Sequence, residues 1–362
     1  MENSKNLSMP RSRLESLDAF RGFTMLLLIS GGFGMGYLRN YQYLGFFAKH
    51  FTHHQWHGMY FWDLIQPFFM FIVGVAMPFS FLRRWNCGDT WNQTFNHVIR
   101  RSLTLLLFCI ILGIGWSNKI QIGLWNVLGQ LAFTYFFAFL FMRFSLKKQL
   151  IISFAILLFN YILYRFVPVP GVTEPWVKGN NIGSYIDALV IGRVSPGGWV
   201  TINLIGSTAH TMWGVMAGII LKSERTHRQK IKILLIAGIS GILLGLMLDP
   251  ITPIVKRICT SSFIIHSGGW CILFLTLFYY IIDVKNYRKW SRFMTILGMN
   301  CIFIYMFKGI LGGSINNYVS TFTMPVLKYL GVVGLIIHKN IIVFILWYLT
   351  YWLYKNKIFI KI

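Results

Sequence analysis

Ten apolar runs, each about as long as the hydrocarbon core of a bilayer is thick, recur along this chain and leave little choice of architecture. They fall at 19–38, 60–82, 100–117, 124–142, 150–168, 199–221, 231–249, 261–283, 293–311 and 340–355. A helix needs about 20 such residues to cross the membrane, so the expectation is an all-α, polytopic integral membrane helix bundle with about ten transmembrane helices. A further stretch, 313–339, is apolar from Val326 to Ile337 but interrupted by Pro325, Gly331 and Gly334. It reads as an interfacial or re-entrant piece, with an eleventh span as the alternative. Composition agrees: 56% of the 362 residues are hydrophobic and 12% charged, where soluble domains carry about 25% charged residues. A soluble globule is excluded.

Net charge is +24, from 34 Lys and Arg against 10 Asp and Glu. On a soluble chain that balance would suggest nucleic acid. Here the basic residues cluster in short connections between apolar runs, with no recognition helix or aromatic-basic groove, so no nucleic-acid partner is expected. With the N-terminus inside, 23 of the 34 basic residues fall on the cytoplasmic side, and the other 11, among them Lys119, Lys256, Arg257, Lys308 and Lys339, spread over longer loops. This bias predicts N-in and C-in. The chain then divides into a cytoplasmic N-terminal segment, 1–18, a membrane domain, 19–355, and a cytoplasmic tail, 356–362. The N-terminal segment is polar for too long to be a cleaved signal peptide. Five cysteines without a CxxC pair indicate neither a metal knuckle nor a disulfide framework. The longest external connections, 39–59 and 169–198, are where an outward-facing site is expected, and no internal repeat of the transporter kind is visible.

Ionisable groups inside hydrocarbon cost about 2.5 to 3.5 kcal/mol at mid-helix, so each calls for a partner or a role. Asp63 and Gln66 share a helix face near the start of the second run, and Pro67 frees a carbonyl beside them. They read either as a structural hydrogen-bonded pair or as part of a site. His53, His54 and His57 form HHQWH just ahead. The i, i+4 spacing of His53 and His57 is also a metal-ligand spacing, general-base or acyl-acceptor chemistry suits a histidine near pKa 6.5, and solvated bystanders are the bland alternative. His210 and His266 lie mid-run and could pair with Asp63, Asp249 or a serine. Lys256 and Arg257 are basic on the less basic side, which a substrate or cofactor anion would explain. GxSxG, P-loop and GxGxxG motifs are absent.

Several of these stretches carry a resemblance. RLESLDAFRGFTMLLLIS (13–30), HHQWHGMYFWDLIQPFFMFIVGVAMPFSF (53–81), VLGQLAFTYF (127–136), DPITPIVKRICTSSF (249–263), LGMNCIFIY (297–305) and LYKNKIFIKI (353–362) together resemble the heparan-alpha-glucosaminide N-acetyltransferase family and its bacterial relatives. The resemblance covers nearly the whole membrane region. It implies a multi-span acyltransferase that takes acetyl-CoA, as co-substrate, from the cytosolic side and acetylates a glucosamine-type amine on the other. The family pattern around its catalytic histidine falls on His53, Trp56, Gly58 and Asp63, so the carry-over singles out His53, which would deprotonate the sugar amine or carry the acetyl group itself.

On that reading Asp63 and Asn300 orient the histidine or hold the acetyl oxygen. Arg21, Arg83, Arg84, Arg100 and Arg101 meet the acetyl-CoA phosphates, with Gln130 also on the cofactor side. Trp56, His57, Lys256 and Ser261 belong to the acceptor side, and Trp62 and Trp199 could stack on a sugar face. No metal is implied. Expected partners are an amino-sugar or glycan substrate and membrane lipid, with a homodimer left open. Two positions depart from the family: Gly32 stands where it has an asparagine, and Gly129-Gln130 where it has Gln-Arg. The compact form, without the lumenal N-terminal domain, points to a bacterial inner membrane. An amino-sugar or N-acetylglucosamine-related transporter is the runner-up, and a purely structural subunit would leave Asp63, His210 and Lys256 without a role.

Overall fold

The computed structural model describes residues 14–117 and 123–360, with side chains of 115–117 left aside. Lys5, Arg11, Arg13, Lys119 and Lys361, which enter the basic count, lie outside them. The described chain is helical: α1 (Glu15–Ser30), α2 (Gly45–Lys49), α3 (Ile65–Asn86), α4 (Trp91–Ser117), α5 (Val127–Phe141), α6 (Leu146–Phe166), α7 (Ile182–Ile191), α8 (Asn203–Lys222), α9 (His227–Leu248), α10 (Ser261–Phe278), α11 (Arg292–Met299), α12 (Cys301–Leu327) and α13 (Gly331–Lys355). Among the described residues the only β pairing is two isolated bridges. All ten expected runs fall on helices. By length and apolar composition seven helical segments qualify as spans, or eight when a bent α1 is included.

That number differs from ten for local reasons. α5 has 15 residues, about 22 Å at 1.5 Å per residue, short of the hydrocarbon thickness. The segment Cys301–Lys355 counts as one piece of 55 residues, yet it folds back at Lys328–Leu330. His338 Nδ1 lies 2.8 Å from Thr323 Oγ1, and Lys339 Nζ donates to Asn316 Oδ1 at 3.1 Å, contacts a straight helix could not make. The 313–339 stretch therefore forms the turn and the facing ends of a helical hairpin. Within 169–198, expected as loop, α7 forms with the Asn181 side chain capping its first turn.

α1 stops at a run of left-handed residues, Gly31, Gly32, Phe33 and Gly34, all at positive φ, and the chain bends 46° into a short 3-10 turn. A Cβ on Gly32 would stand 2.7 Å from the Phe51 carbonyl oxygen. The asparagine expected of the family there would not fit this backbone, so the departure is structural.

Small residues let the central helices approach. α3 and α8 cross where a Cβ on Gly74 would fall 2.0 Å from the Thr211 carbonyl oxygen and one on Gly214 2.1 Å from that of Phe71. Such close backbone contact is the usual source of helix cohesion in lipid, where burial of apolar side chains offers no advantage over lipid tails. The largest buried cluster joins α1, α3, α8 and α10 through Phe20, Phe68, Phe71, Trp213 and Phe263. These helices form the frame on which the site sits.

Candidate active site

The site is assembled where the loop before α3 meets the loop before α10. The chain enters α3 through a 3-10 turn, Phe61–Leu64, and Asp63 closes this turn on itself: its Oδ2 accepts the backbone N–H of Tyr60 at 2.9 Å and of His54 at 3.1 Å. Opposite, the 249–260 loop is fixed by Ile254 N–H donating to Asp249 Oδ1 at 2.7 Å and Val255 N–H donating to Thr260 Oγ1 at 3.0 Å. Gly58 stitches the two loops together, its N–H donating to Ile254 O at 2.8 Å beside a parallel bridge to Val255. Gly58 sits at φ +122°, where a side chain would be strained.

This pairing places Lys256 against His53 and Asp63. His53 Nδ1 is 2.9 Å from Asp63 Oδ1, Lys256 Nζ is 3.4 Å from the same oxygen and 3.2 Å from His53 Nδ1. Asp63 and Lys256 are buried, with 1% and 7% of their side chains exposed, while His53 is 44% exposed. Nδ1 cannot both donate to Asp63 and accept from Lys256. With Asp63 as a carboxylate, four donors converge on it, and the shorter contact makes His53 Nδ1–H a donor to Asp63 Oδ1. The lone pair of His53 then sits on Nε2, the ring nitrogen not engaged by Asp63 or Lys256. Partial burial, helped by the Lys256 and Arg257 charges, holds the His53 pKa below its usual 6.5 against the opposing pull of Asp63. Burial likewise lowers Lys256 from its usual 10.5, partly offset by Asp63.

Trp199 lines the same opening. Its ring lies edge-on 6.2 Å from His53, with Lys256 Nζ 5.4 Å and the Arg257 guanidinium 6.0 Å from its centroid. Arg257 donates to Gly197 O, and Trp56 donates to Trp176 O at 2.8 Å, so both indoles are held in fixed poses.

The three histidines of HHQWH part company. His53 goes to Asp63, His57 Nε2 lies 2.9 Å from Asp249 Oδ1, and the His54 ring packs 4.5 Å from Tyr60. Among the described residues no three His, Cys, Asp or Glu converge as a metal site would require. Other expected residues spend their polar atoms on partners other than His53. Ser261 donates to Leu157 O at 2.8 Å. His210 takes Ser267 at 2.9 Å, and His266 contacts the Ile242 carbonyl at 3.2 Å. Gln66 and Gln130 are buried in a row, Gln66 Nε2 donating to Gln130 Oε1 at 2.7 Å and Gln130 Nε2 to Asn203 Oδ1 at 2.8 Å. Asn300 sits in the break between α11 and α12, where its amide donates to Ile358 O at 3.1 Å and accepts from Ile360 N–H at 3.0 Å. It pins the C-terminal tail instead of facing His53.

That tail closes one side of a cavity of about 630 Å³ between α1, α3, α4, α5 and α12, lined by Asp18, Arg21, Phe69, Ser80, Arg101, Tyr135 and Ile360 among others. Arg21 is paired with Asp18 at 3.4 Å. The Arg101 guanidinium lies 4.6 Å over the Tyr135 ring, and its Nε is buried without a hydrogen bond. The remaining arginines stand apart: Arg84 pairs with Asp89 at 3.2 Å, and Arg83 and Arg100 are exposed. Phe69, the cavity residue on α3 nearest the site in sequence, is six residues from Asp63, about 9 Å along a helix axis. Tyr135 and Tyr305, which line this cavity, were not singled out in the sequence; nothing in their local pattern marks them.

Residues 13–182 match the family described as heparan-alpha-glucosaminide N-acetyltransferase, catalytic. Over 421 aligned positions the chain is 25% identical to the heparan-alpha-glucosaminide N-acetyltransferase of Mus musculus, covering 97% of this chain and 61% of that protein. With the Homo sapiens protein of the same name it shares 26% identity over 426 positions, covering 97% and 60%. The chain thus spans about three-fifths of the length of the curated relatives it matches. The family resemblance of its motifs and the apolar helices together make it an integral membrane protein related to these enzymes at low identity.

Proposed function

We propose that this relative of the heparan-alpha-glucosaminide N-acetyltransferases is itself a transmembrane N-acetyltransferase, moving an acetyl group from cytoplasmic acetyl-CoA to the amine of an amino sugar on the outer side. The observation that carries the reading is His53 at the family spacing, held through Nδ1 by buried Asp63 and flanked by Lys256. As the amine nitrogen bonds to the acetyl carbon and the carbon–sulfur bond breaks, Nε2 of His53 takes the amine proton, which then leaves with the thiol. Asp63 fixes the tautomer that makes Nε2 the base. Trp199, braced by Lys256 and Arg257, offers a flat face for the sugar.

Acetyl-CoA suits the cavity at the other end. Arg101 brings a buried N–H without a partner and Arg21 a second guanidinium, a donor set matched to phosphate oxygens. The apolar walls from Ile72, Val73 and Leu131 suit the pantetheine arm. The basic bias of the connections supports a cytoplasmic face for this end, and a bacterial inner membrane is part of the same proposal.

The test is direct: purified protein in nanodiscs is incubated with acetyl-labelled acetyl-CoA and a panel of amino sugars. Label appearing on a sugar amine, with equimolar thiol release, supports the proposal. Absence of transfer to every acceptor, with acetyl-CoA binding intact, would refute it.

A further inference from the structure

A second cavity, of about 520 Å³, opens between α1, α12 and α13, and the proposed acetyl transfer makes no use of it. Its walls are mostly apolar, from Leu28, Ile29, Ile315, Ile342 and Leu346, but two lysines, Lys308 and Lys339, enter it with Ser30 and Asn316. No Asp or Glu lines it. Among the described residues neither lysine forms an ion pair: Lys308 Nζ donates to Leu28 O at 2.8 Å and Lys339 Nζ to Asn316 Oδ1 at 3.1 Å. Both acceptors are neutral. Each ammonium has three donors and spends one on these contacts.

The bland account makes Lys308 a cap on the last carbonyls of α1, which carry the negative end of the helix dipole. That end is worth only about half an elementary charge, and it leaves Lys339 uncompensated. Two like charges on facing helices, in a mostly apolar crevice, persist where something negative joins them. We propose that this crevice binds a phosphate-type oxyanion, with Lys308 and Lys339 as its two ligands and the apolar walls accommodating whatever body carries it. The oxyanion can come from an anionic phospholipid headgroup or from a free phosphate; the chemistry at the lysines is the same.

The full chain is tested in two arms. In one, native mass spectrometry counts phosphatidylglycerol retained on protein extracted from vesicles of phosphatidylcholine and phosphatidylglycerol. In the other, inorganic phosphate is titrated calorimetrically into protein held in phosphatidylcholine nanodiscs. Wild type should bind in at least one arm, and K308M/K339M should lower that binding about tenfold or more, while K308R/K339R, which keeps both charges and fits oxyanions well, retains it. Retention of phosphatidylglycerol alone assigns the lipid source; phosphate binding assigns the free anion. Should the double methionine variant fail to fold, K339M alone carries the comparison with a smaller loss expected. Equal binding by wild type and the methionine variants, or no binding by wild type in either arm, overturns the proposal.

Discussion

Replacing Lys256 with Met should move the acid limb of the pH–rate profile to higher pH. In the proposed mechanism His53 works as a neutral base, so activity falls as pH drops through its pKa. The Lys256 ammonium lies 3.2 Å from Nδ1 and disfavours the imidazolium. At a charge separation of about 4 Å this repulsion is about 1 kcal/mol in bulk water and about 4 kcal/mol at an effective dielectric of 20. His53 is nearly half exposed, so a screened value of about 1 to 2 kcal/mol is appropriate, or roughly one pH unit at about 1.4 kcal/mol per unit. The sign is fixed: losing a neighbouring cation raises a histidine's pKa and leaves Asp63 to raise it further. Measuring kcat against pH with one acceptor for wild type, Lys256→Met and Lys256→Arg cancels the titration of the acceptor amine itself. The limb should rise by about one unit in the Met variant and return in the Arg variant. A lower rate with an unmoved limb would mean Lys256 is only structural, and a shift to lower pH would refute the electrostatic reasoning.

Asp63→Asn should cost acetyl transfer about a hundredfold, within the usual worth of a general base, because Nδ1 loses its fixed acceptor; a loss under threefold in folded protein would contradict the assigned tautomer. Arg21→Gln with Arg101→Gln should weaken acetyl-CoA binding about tenfold or more and flatten its salt dependence, whereas Arg83→Gln should do little, since Arg83 stays outside the cavity; equal effects measured by equilibrium dialysis would place the phosphates elsewhere. Gly74→Leu should lower the thermal unfolding temperature of the detergent-solubilised protein, because its Cβ would meet the Thr211 carbonyl oxygen at 2.0 Å and over-packing typically costs about 1 to 3 kcal/mol.

The apolar runs made the helices legible, since every expected run falls on helical chain, although 19–38 bends at Gly31 and 293–311 breaks at Asn300. Their ends were less so. The left-handed run at Gly31–Gly34 and the fold-back at Lys328–Leu330 depend on backbone conformation that a hydropathy reading does not carry. In the site, Asp63 and Lys256 each stood out as a charge in the wrong place, but their meeting depends on Gly58 pairing with Ile254, a contact between residues nearly 200 positions apart that no local pattern announces. Arginine clusters were visible, yet which of them face a cavity was not. Arg101 does so because Tyr135 lies beneath it, and Arg84 does not because Asp89 takes it. Asn300 was polar in an apolar run for a reason of its own, the returning tail, which the sequence did not disclose.

Acetyl transfer compared in His53→Ala, His54→Ala and His57→Ala under one set of conditions decides whether His53 is the base. The three histidines are close in sequence and differ in what holds them: Asp63 for His53, the Tyr60 ring for His54, Asp249 for His57. His53→Ala should lose about 10² to 10⁴ in rate with acetyl-CoA binding and folding retained, while the other two stay within about threefold of wild type. Loss below tenfold at His53, or a larger loss at His57, would contradict the account.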